Sequence, residues 1–575
     1  MINQNKKLRA ASSIAMVLVL AIGMVACSKK STEPLAELVV STAMIFLSNH
    51  GETKVFHVKS NVDWTASSSE SWLTLVPSVG GSGTHKIEAI ATVNPETTDR
   101  QAIITIRADN LTTEVRVVQT ASVLFSINEN QYTIGEQGGD LKFSLESNAA
   151  YTMELEGDWM YRKASPVVSG TSYQETIVVK ENRNIFERSE TITFKQGDET
   201  LVVNVQQEAN SLTIAPVSTG VSSNAVALAA KLRVGWNLGN ALEAAASSTS
   251  ASETLWGNPK TTKGLIDAVK AAGFNAVRIP CAWSGYIEDQ TTYRIQDAWL
   301  ERVKEVIDYC VDNDMYAVIN IHWDGGWLEE HPLYTHQEEV GKKQKALWEQ
   351  IAVYFREYDE HLLFAGTNEV RANYNTPSTE HVTVQQYYNQ NFVDAVRATG
   401  GRNAYRNLIV QAYNTNIRFA VDYMQMPSDV ITDRLMAEVH YYDPYDFCLD
   451  IESNKYLWGA SFSGSPNVSS WGQEAWVDTQ FSDVKASFVD RGIPVILGEY
   501  CATYRELPNE TALQNHKKAR AHYLKYVTQS AISHGLIPFY WDNGHAGNNG
   551  SGLFDRNNGQ VVHQDALNAI MEGVN

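Results

Sequence analysis

The sequence predicts an α/β chain in three parts: a closed (β/α)8 barrel of the TIM type, preceded by two small Ig-like β-sandwich modules. Three observations predict it. An internal repeat of short alternating strands occupies residues 35–209, a Ser/Thr/Gly/Pro-containing junction follows at 210–230, and apolar runs then alternate with segments of helical period to residue 575.

The chain begins "MINQNKKLRAASSIAMVLVLAIGMVACSKK", with Lys6, Lys7 and Arg9 ahead of an apolar stretch over 14–25 and small residues before Cys27. This reads as a secretory signal, too short and wrongly flanked for a spanning helix. Its end, "MVAC", resembles a bacterial lipoprotein cleavage box with Met24 where Leu is commoner. The resemblance implies a signal peptide over 1–26, a lipidated Cys27, and a tether over 27–34. Four further cysteines, Cys281, Cys310, Cys448 and Cys501, show no disulfide framework and no CxxC spacing, and mostly buried free thiols are expected.

The repeat pairs "FHVKSNVDWTAS" at 56–67 with "FSLESNAAYTME" at 143–154, and Trp72 with Trp159, at an offset of 87; the segments from Arg100 and Arg188 match at an offset of 88. One insertion therefore separates two copies of one unit, bounded at 35–122 and 123–209. Both units resemble the BACON modules of secreted Bacteroidota enzymes: a Trp after a polar turn, an Arg opening a strand, and a closing Gln in "VVQTA" or "VQQEA". That resemblance implies either sugar binding or a spacer. The spacer is favoured, because Trp72 and Trp159 stand where a sandwich core wants an aromatic.

From 210 to 575 the strand-like runs are "LRVGWN", "NAVRIP", "YAVINIH", "LLFAGTN", "NLIVQA", "LMAEVH", "PVILGE" and "LIPFYW", separated by helical segments such as "LERVKEVIDYCVDND". Eight alternating units fit a barrel; an open doubly wound sheet lacks support, since no glycine-rich phosphate turn follows the first strand.

In a barrel the C-terminal strand ends share one mouth. Those ends carry Arg278, His322, Asn368 with Glu369, His440 with Tyr442, Glu499 and Trp541. Glu369 ends strand four and Glu499 strand seven, across the barrel from each other. Two opposed carboxylates are what hydrolysis of a sugar linkage needs: one protonated to assist the leaving oxygen, one ionised to meet the anomeric carbon. Arg278 is expected to favour the ionised form of Glu499, as a nucleophile requires, so Glu369 is the acid and needs a raised pKa. Asn368 is placed to hydrogen-bond the sugar 2-OH, and Trp323 and Trp541 to stack on sugar rings.

"RIP", "NIHWDGGW", "FAGTNEV", "EVHYYDPY", "LGEY" and "FYWDNG", in this order, resemble glycoside hydrolase family 5, most of all its subfamily 4. The resemblance implies Glu369 as acid/base and Glu499 as nucleophile, with Arg278, His322, Asn368, His440, Tyr442 and Trp541 on the family's remaining invariant positions. Val370 stands where many members have Pro. The implied activity is a retaining endo-β-1,4-glucanase acting on cellulose-like glucan, mixed-linkage β-glucan or xyloglucan. A β-mannanase and a non-catalytic surface glycan-binding lipoprotein are the alternatives, and an adhesin using the repeats is a third.

Composition is consistent with this. The 43% hydrophobic and 19% charged residues describe a globular chain, and a net charge of −20 excludes nucleic acid as a partner. The expected partner is a β-glucan polysaccharide, with the membrane met only through the lipid anchor of an outer-membrane lipoprotein on its cell-surface or periplasmic face. No cofactor and no metal are expected, and the chain is expected to act as a monomer.

Overall fold

A computed structural model describes residues 35–575; residues 1–34, and with them the predicted signal and Cys27, lie outside the described residues. Among the described residues no helix is long and apolar enough to cross a membrane.

Both repeat units are two-sheet sandwiches of the same topology. In the first, the sheet Leu38–Val40, Thr53–Ser60, Gly83–Ala91 and Leu73–Val76 covers a second sheet built on Leu111–Gln119 and Arg100–Ala108. Met44–Leu47 runs parallel to Leu111–Gln119, and Gln131–Ile134 repeats this against Glu199–Gln207. Strict alternation, as in "TEVRVVQ", buries one face of each strand and leaves the other wet.

The Arg and Gln of the repeat lock these sandwiches together. Arg100 Nε donates to Gln119 Oε1 at 2.8 Å, and Gln119 Nε2 donates to the carbonyls of Ser48 and Thr92. Arg188 and Gln207 do the same at 2.9 Å, with Gln207 Nε2 reaching Gly135, Glu136 and Lys180. Trp72 and Trp159 are not the core aromatics the sequence suggested. The core is filled by Trp64 in the first unit, while Trp72 and Trp159 lie half-buried at the rim under the guanidinium of Arg100 (4.4 Å) and Arg188 (4.6 Å). Gln119→Leu removes three hydrogen bonds made by a fully buried side chain to half-buried or exposed partners, so the first sandwich should lose about 1–3 kcal/mol in calorimetric unfolding while hydrolytic activity is unchanged.

The second sandwich also contacts the barrel. Asn184 Nδ2 donates to Asp297 Oδ1 at 2.8 Å, and Arg188 pairs with Asp297 at 3.6 Å.

The barrel is closed by eight parallel strands: β1 (Gly235–Leu238), β2 (Ala276–Ile279), β3 (Tyr316–Asn320), β4 (Leu362–Ala365), β5 (Leu408–Asn416), β6 (Leu435–Tyr441), β7 (Val495–Tyr500) and β8 (Leu536–Asp542). Outward residues such as Trp236, Ile279, Ile319 and Phe364 pack under the helices, which is why the strands read as unbroken apolar runs. Inward residues form layers. At the base Ala276, Val318, Leu363, Ile409, Met436 and Ile496 make a separate apolar plug, capped by the helix Ala225–Ala229. One layer higher the inward positions turn polar, with Asn237, Arg278, Asn320, Gln411 and Glu438 all buried. The four described cysteines are free and buried.

Candidate active site

The polar layer is the floor on which the mouth residues stand. Arg278 lies at its centre, fully buried, and each of its nitrogens is used. Nη1 donates to Asn237 Oδ1 at 3.0 Å and to Glu499 Oε1 at 2.8 Å, Nη2 donates to Asn368 Oδ1 at 2.8 Å, and Nε pairs with Glu438 at 2.9 Å. One guanidinium thus ties β1, β2, β6 and β7 to the end of β4. A rigid fork with donors in several directions suits that task, where a lysine would not.

Glu499 receives a second donor, Tyr442 Oη, on its other oxygen at 2.7 Å. Across the mouth, His440 Nδ1–H donates to Glu369 Oε1 at 2.7 Å and lies 3.6 Å from Glu499 Oε2. Glu369 and Glu499 each bring an oxygen within 4.8 Å of the other. His440 Nδ1 joins the two carboxylates into one hydrogen-bonded cluster.

Local backbone irregularity aims these groups. The pairing of β6 with β7 shifts register between Val439 and His440, so that both Leu497 and Glu499 find partners around Gly498. A Cβ on Gly498 would sit 2.1 Å from Glu438 Oε1, so the glycine of "ILGEY" is there to admit the carboxylate of its neighbour strand. Gly498→Ala is therefore expected to displace Glu438 from Arg278 and His440 and to lower kcat about ten- to hundredfold, read by steady-state kinetics on the folded variant. At the end of β5, Asn414 and Thr415 both take left-handed backbone conformations (φ 54° and 41°), and Thr415 Oγ1 is thereby set 3.0 Å from His440 Nδ1.

The charges distribute unexpectedly. Burial pushes the Glu369 carboxyl up, but the hydrogen bond and charge of His440, with Arg371 and Arg278, hold it below the ordinary glutamate range. This reverses the expected raised pKa. Burial likewise opposes charge on His440, yet Glu499, Glu369 and Glu438 raise it to about 9. Glu438 is brought down to about 2, against its own burial, by Arg278 and His440. The proton expected on Glu369 thus sits on its hydrogen-bond partner, 2.7 Å away.

Glu369, Glu499, Arg278, Asn368, His440 and Tyr442 are joined in one network, as their positions predict. His322 is anchored by Asn320 (3.1 Å) and lies parallel to the Trp541 ring, with centroids 5.8 Å apart. Burial and the nearby Arg278 keep this imidazole neutral, well below its usual pKa. Trp541 is half-buried. Trp323 stands apart from the network, on the rim, with Nε1 on Glu330 and its ring 6.2 Å from exposed Trp256. Asp324 is buried and takes N–H groups from Trp283, Ser284 and Trp327, a purely structural use.

Sequence reasoning missed Asn237, Gln411, Glu438, Thr415, Glu329 and Arg371. Glu438 had a signal, since it lies two residues before His440 and so on the same face of β6. Glu329 and Arg371, in loops, had none.

Comparison with known proteins identifies the family of the barrel. The cellulase (glycosyl hydrolase family 5) profile matches residues 239–558, and a viral BACON domain profile matches 37–122. A xyloglucan-specific endo-β-1,4-glucanase of Bacteroides ovatus is 40% identical over 472 residues, covering 76% of this chain and 93% of its own. Endoglucanase A of Paenibacillus barcinonensis is 39% identical over 61% of this chain and 91% of its own. Among solved structures, the Bacteroides ovatus family 5 xyloglucanase bound to an XXXG heptasaccharide superposes over 94% of this chain and 99% of its own, with TM-score 0.61 and 33% identity. A family 5 xyloglucanase of Paenibacillus pabuli covers 60% of this chain and 100% of its own, with TM-score 0.57 and 39% identity. A barrel whose strands four and seven oppose two glutamates, matched by profile and by relatives over nearly their full length, places the chain in glycoside hydrolase family 5.

Proposed function

We propose that the chain is a retaining endo-β-1,4-glucanase in which Glu499 is the nucleophile and Glu369 the acid/base. The observation that carries this is the pair itself: two carboxylates with oxygens within 4.8 Å, one gripped by Arg278 and Tyr442, the other sharing a proton with His440. Carboxyl groups about 5 Å apart leave no room for a water between them and the sugar, so the second carboxylate attacks directly.

In the first step Glu499 forms a bond to the anomeric carbon, the glycosidic C–O bond breaks, and the leaving oxygen takes the proton of Glu369. In the second, Glu369 removes a proton from water, whose oxygen displaces Glu499. Before the first step the Glu369–His440 pair holds one proton. Moving it from Nδ1 to Oε1 turns one buried and one half-buried charge into two neutral groups, a change that water exclusion by a bound polymer favours. His440 is then a proton store for Glu369. Asn368, with Oδ1 held by Arg278 and one N–H on Glu329, keeps its second N–H for the sugar 2-OH. Trp541 supplies a sugar platform beside the reacting ring, and Trp323 a second one on the rim.

Xyloglucan is the first candidate among β-glucans, on the strength of the Bacteroides ovatus relative. The test is a product profile on carboxymethylcellulose, lichenan, xyloglucan and mannan. Internal cleavage of β-glucans with retained configuration supports the reading, and no activity on any of them ends it. The two sandwiches are spacers on a lipid-anchored outer-membrane protein, a reading supported by "MVAC" and by the Arg100 and Arg188 side chains that already cover Trp72 and Trp159. Fatty-acid labelling that disappears in Cys27→Ala checks the anchor.

A further inference from the structure

Two side chains outside the expected set hold the strand-four end in place. Glu329, from the loop after β3, is 2% exposed. Its Oε2 accepts from Asn368 Nδ2 at 3.0 Å and from the Glu369 backbone N–H at 3.2 Å, and its Oε1 is paired with Arg371. Arg371 in turn donates from Nη1 to the Glu369 carbonyl at 2.9 Å, lies 3.6 Å from Glu369 Oε2, and returns its backbone N–H to the Glu329 carbonyl at 2.7 Å. The clamp closes around Val370, the position where relatives often carry Pro. Two carboxylates, Glu329 and Glu369, therefore compete for one cation. An acid so placed is shaped by both neighbours.

We propose that Glu329 and Arg371 are a positioning pair that fixes the Asn368–Glu369 step and sets the pH at which the catalytic acid proton is lost. The inference rests on the assignment of Glu369 as acid/base. Glu369 faces charged or titratable groups from every wall: Arg278 from β2, Glu329 from the loop after β3, Arg371 beside it, Glu438 and His440 from β6, Tyr442 after it, and Glu499 from β7. Of these, Glu329 and Arg371 take no part in the sugar-bond chemistry and contact Asn368 and Glu369 directly. Burial and the Glu369 charge raise the Glu329 carboxyl, the expected mark of two acids competing for one partner.

The direction of each change follows. Glu329→Gln removes a negative charge and releases Arg371 to Glu369, which favours loss of the shared proton; the alkaline limb of kcat/KM should fall by about one pH unit. Arg371→Gln removes the cation and should move the limb up by a similar amount, while Arg371→Lys, which keeps the charge, should restore most of it. These profiles are measured on the full chain with xyloglucan or another accepted β-glucan, with circular dichroism to establish folding. Opposite shifts support the proposal. Uniform loss of kcat at all pH values, with the limb unmoved in the folded variants, overturns it; if Glu329→Gln fails to fold, the Arg371 pair decides alone. Failure of the underlying assignment looks different, since Glu369→Gln would then keep its activity on polysaccharide.

Discussion

Glu499→Gln is expected to lower turnover of any β-glucan substrate by about 10⁴-fold or more while leaving polysaccharide binding nearly intact. The substitution is unusually clean here. Arg278 Nη1 can only donate, so the amide must turn its oxygen toward Arg278 and its NH2 toward Tyr442, whose hydroxyl can accept instead of donate. The fork on Asn237, Asn368 and Glu438 stays in place, and only the nucleophile is gone. The companion variant Glu499→Ala opens space for a small anion, and azide should restore activity on an aryl glycoside with an α-glycosyl azide as product. That configuration reports one displacement at the anomeric carbon in place of two. Near-normal turnover of Glu499→Gln, or a β-azide from Glu499→Ala, would remove Glu499 from the nucleophile role.

Much of this site was legible because topology converts sequence order into geometry. Strand ends share one mouth in a closed barrel, so polar residues finishing apolar runs had to converge, and strands four and seven had to face one another. What was not legible has three physical sources. Asn237, Gln411 and Glu438 lie inside strands, where the surrounding apolar residues hide them; only for Glu438, two residues before His440 on the same strand, does the two-residue alternation reveal an inward side chain. Thr415 acts through a left-handed backbone that a β-branched residue resists, a conformation imposed by tertiary packing against local preference. Glu329 reaches Glu369 from a loop 40 residues earlier, a contact that only the folded chain creates.

The sandwiches show the same division. Their repeat, strand alternation and turns followed from the sequence, whereas the places of the two tryptophans did not. A Trp after a turn is equally compatible with a core and with a rim. The difference was made by Arg100 and Arg188, whose guanidinium groups, fixed by Gln119 and Gln207, need a flat apolar surface to lie on. The residues that marked the repeat in sequence are thus its structural bolts.

Glu369→Gln should divide substrates by leaving group. On polysaccharide, where the departing oxygen must be protonated, a loss of about 10²–10⁴-fold is expected. On an aryl glycoside with a dinitrophenolate leaving group the first step needs little acid assistance, so bond cleavage survives while hydrolysis of the glycosyl-enzyme, now without its base, becomes slow. The consequence is a burst of phenolate followed by a low steady rate. The pH dependence is the sharper test. In the native enzyme the Glu369–His440 pair carries one essential proton, lost as pH rises through the raised value of about 9 that His440 takes in this cluster. The kcat/KM of the native enzyme on polysaccharide should therefore fall above about pH 9 and not near the value of a free glutamate. In Glu369→Gln acting on the activated substrate that limb should vanish, because no proton is required of the pair. A limb that persists unchanged in the variant would mean that the titrating proton belongs to His440 alone and is not passed to Glu369.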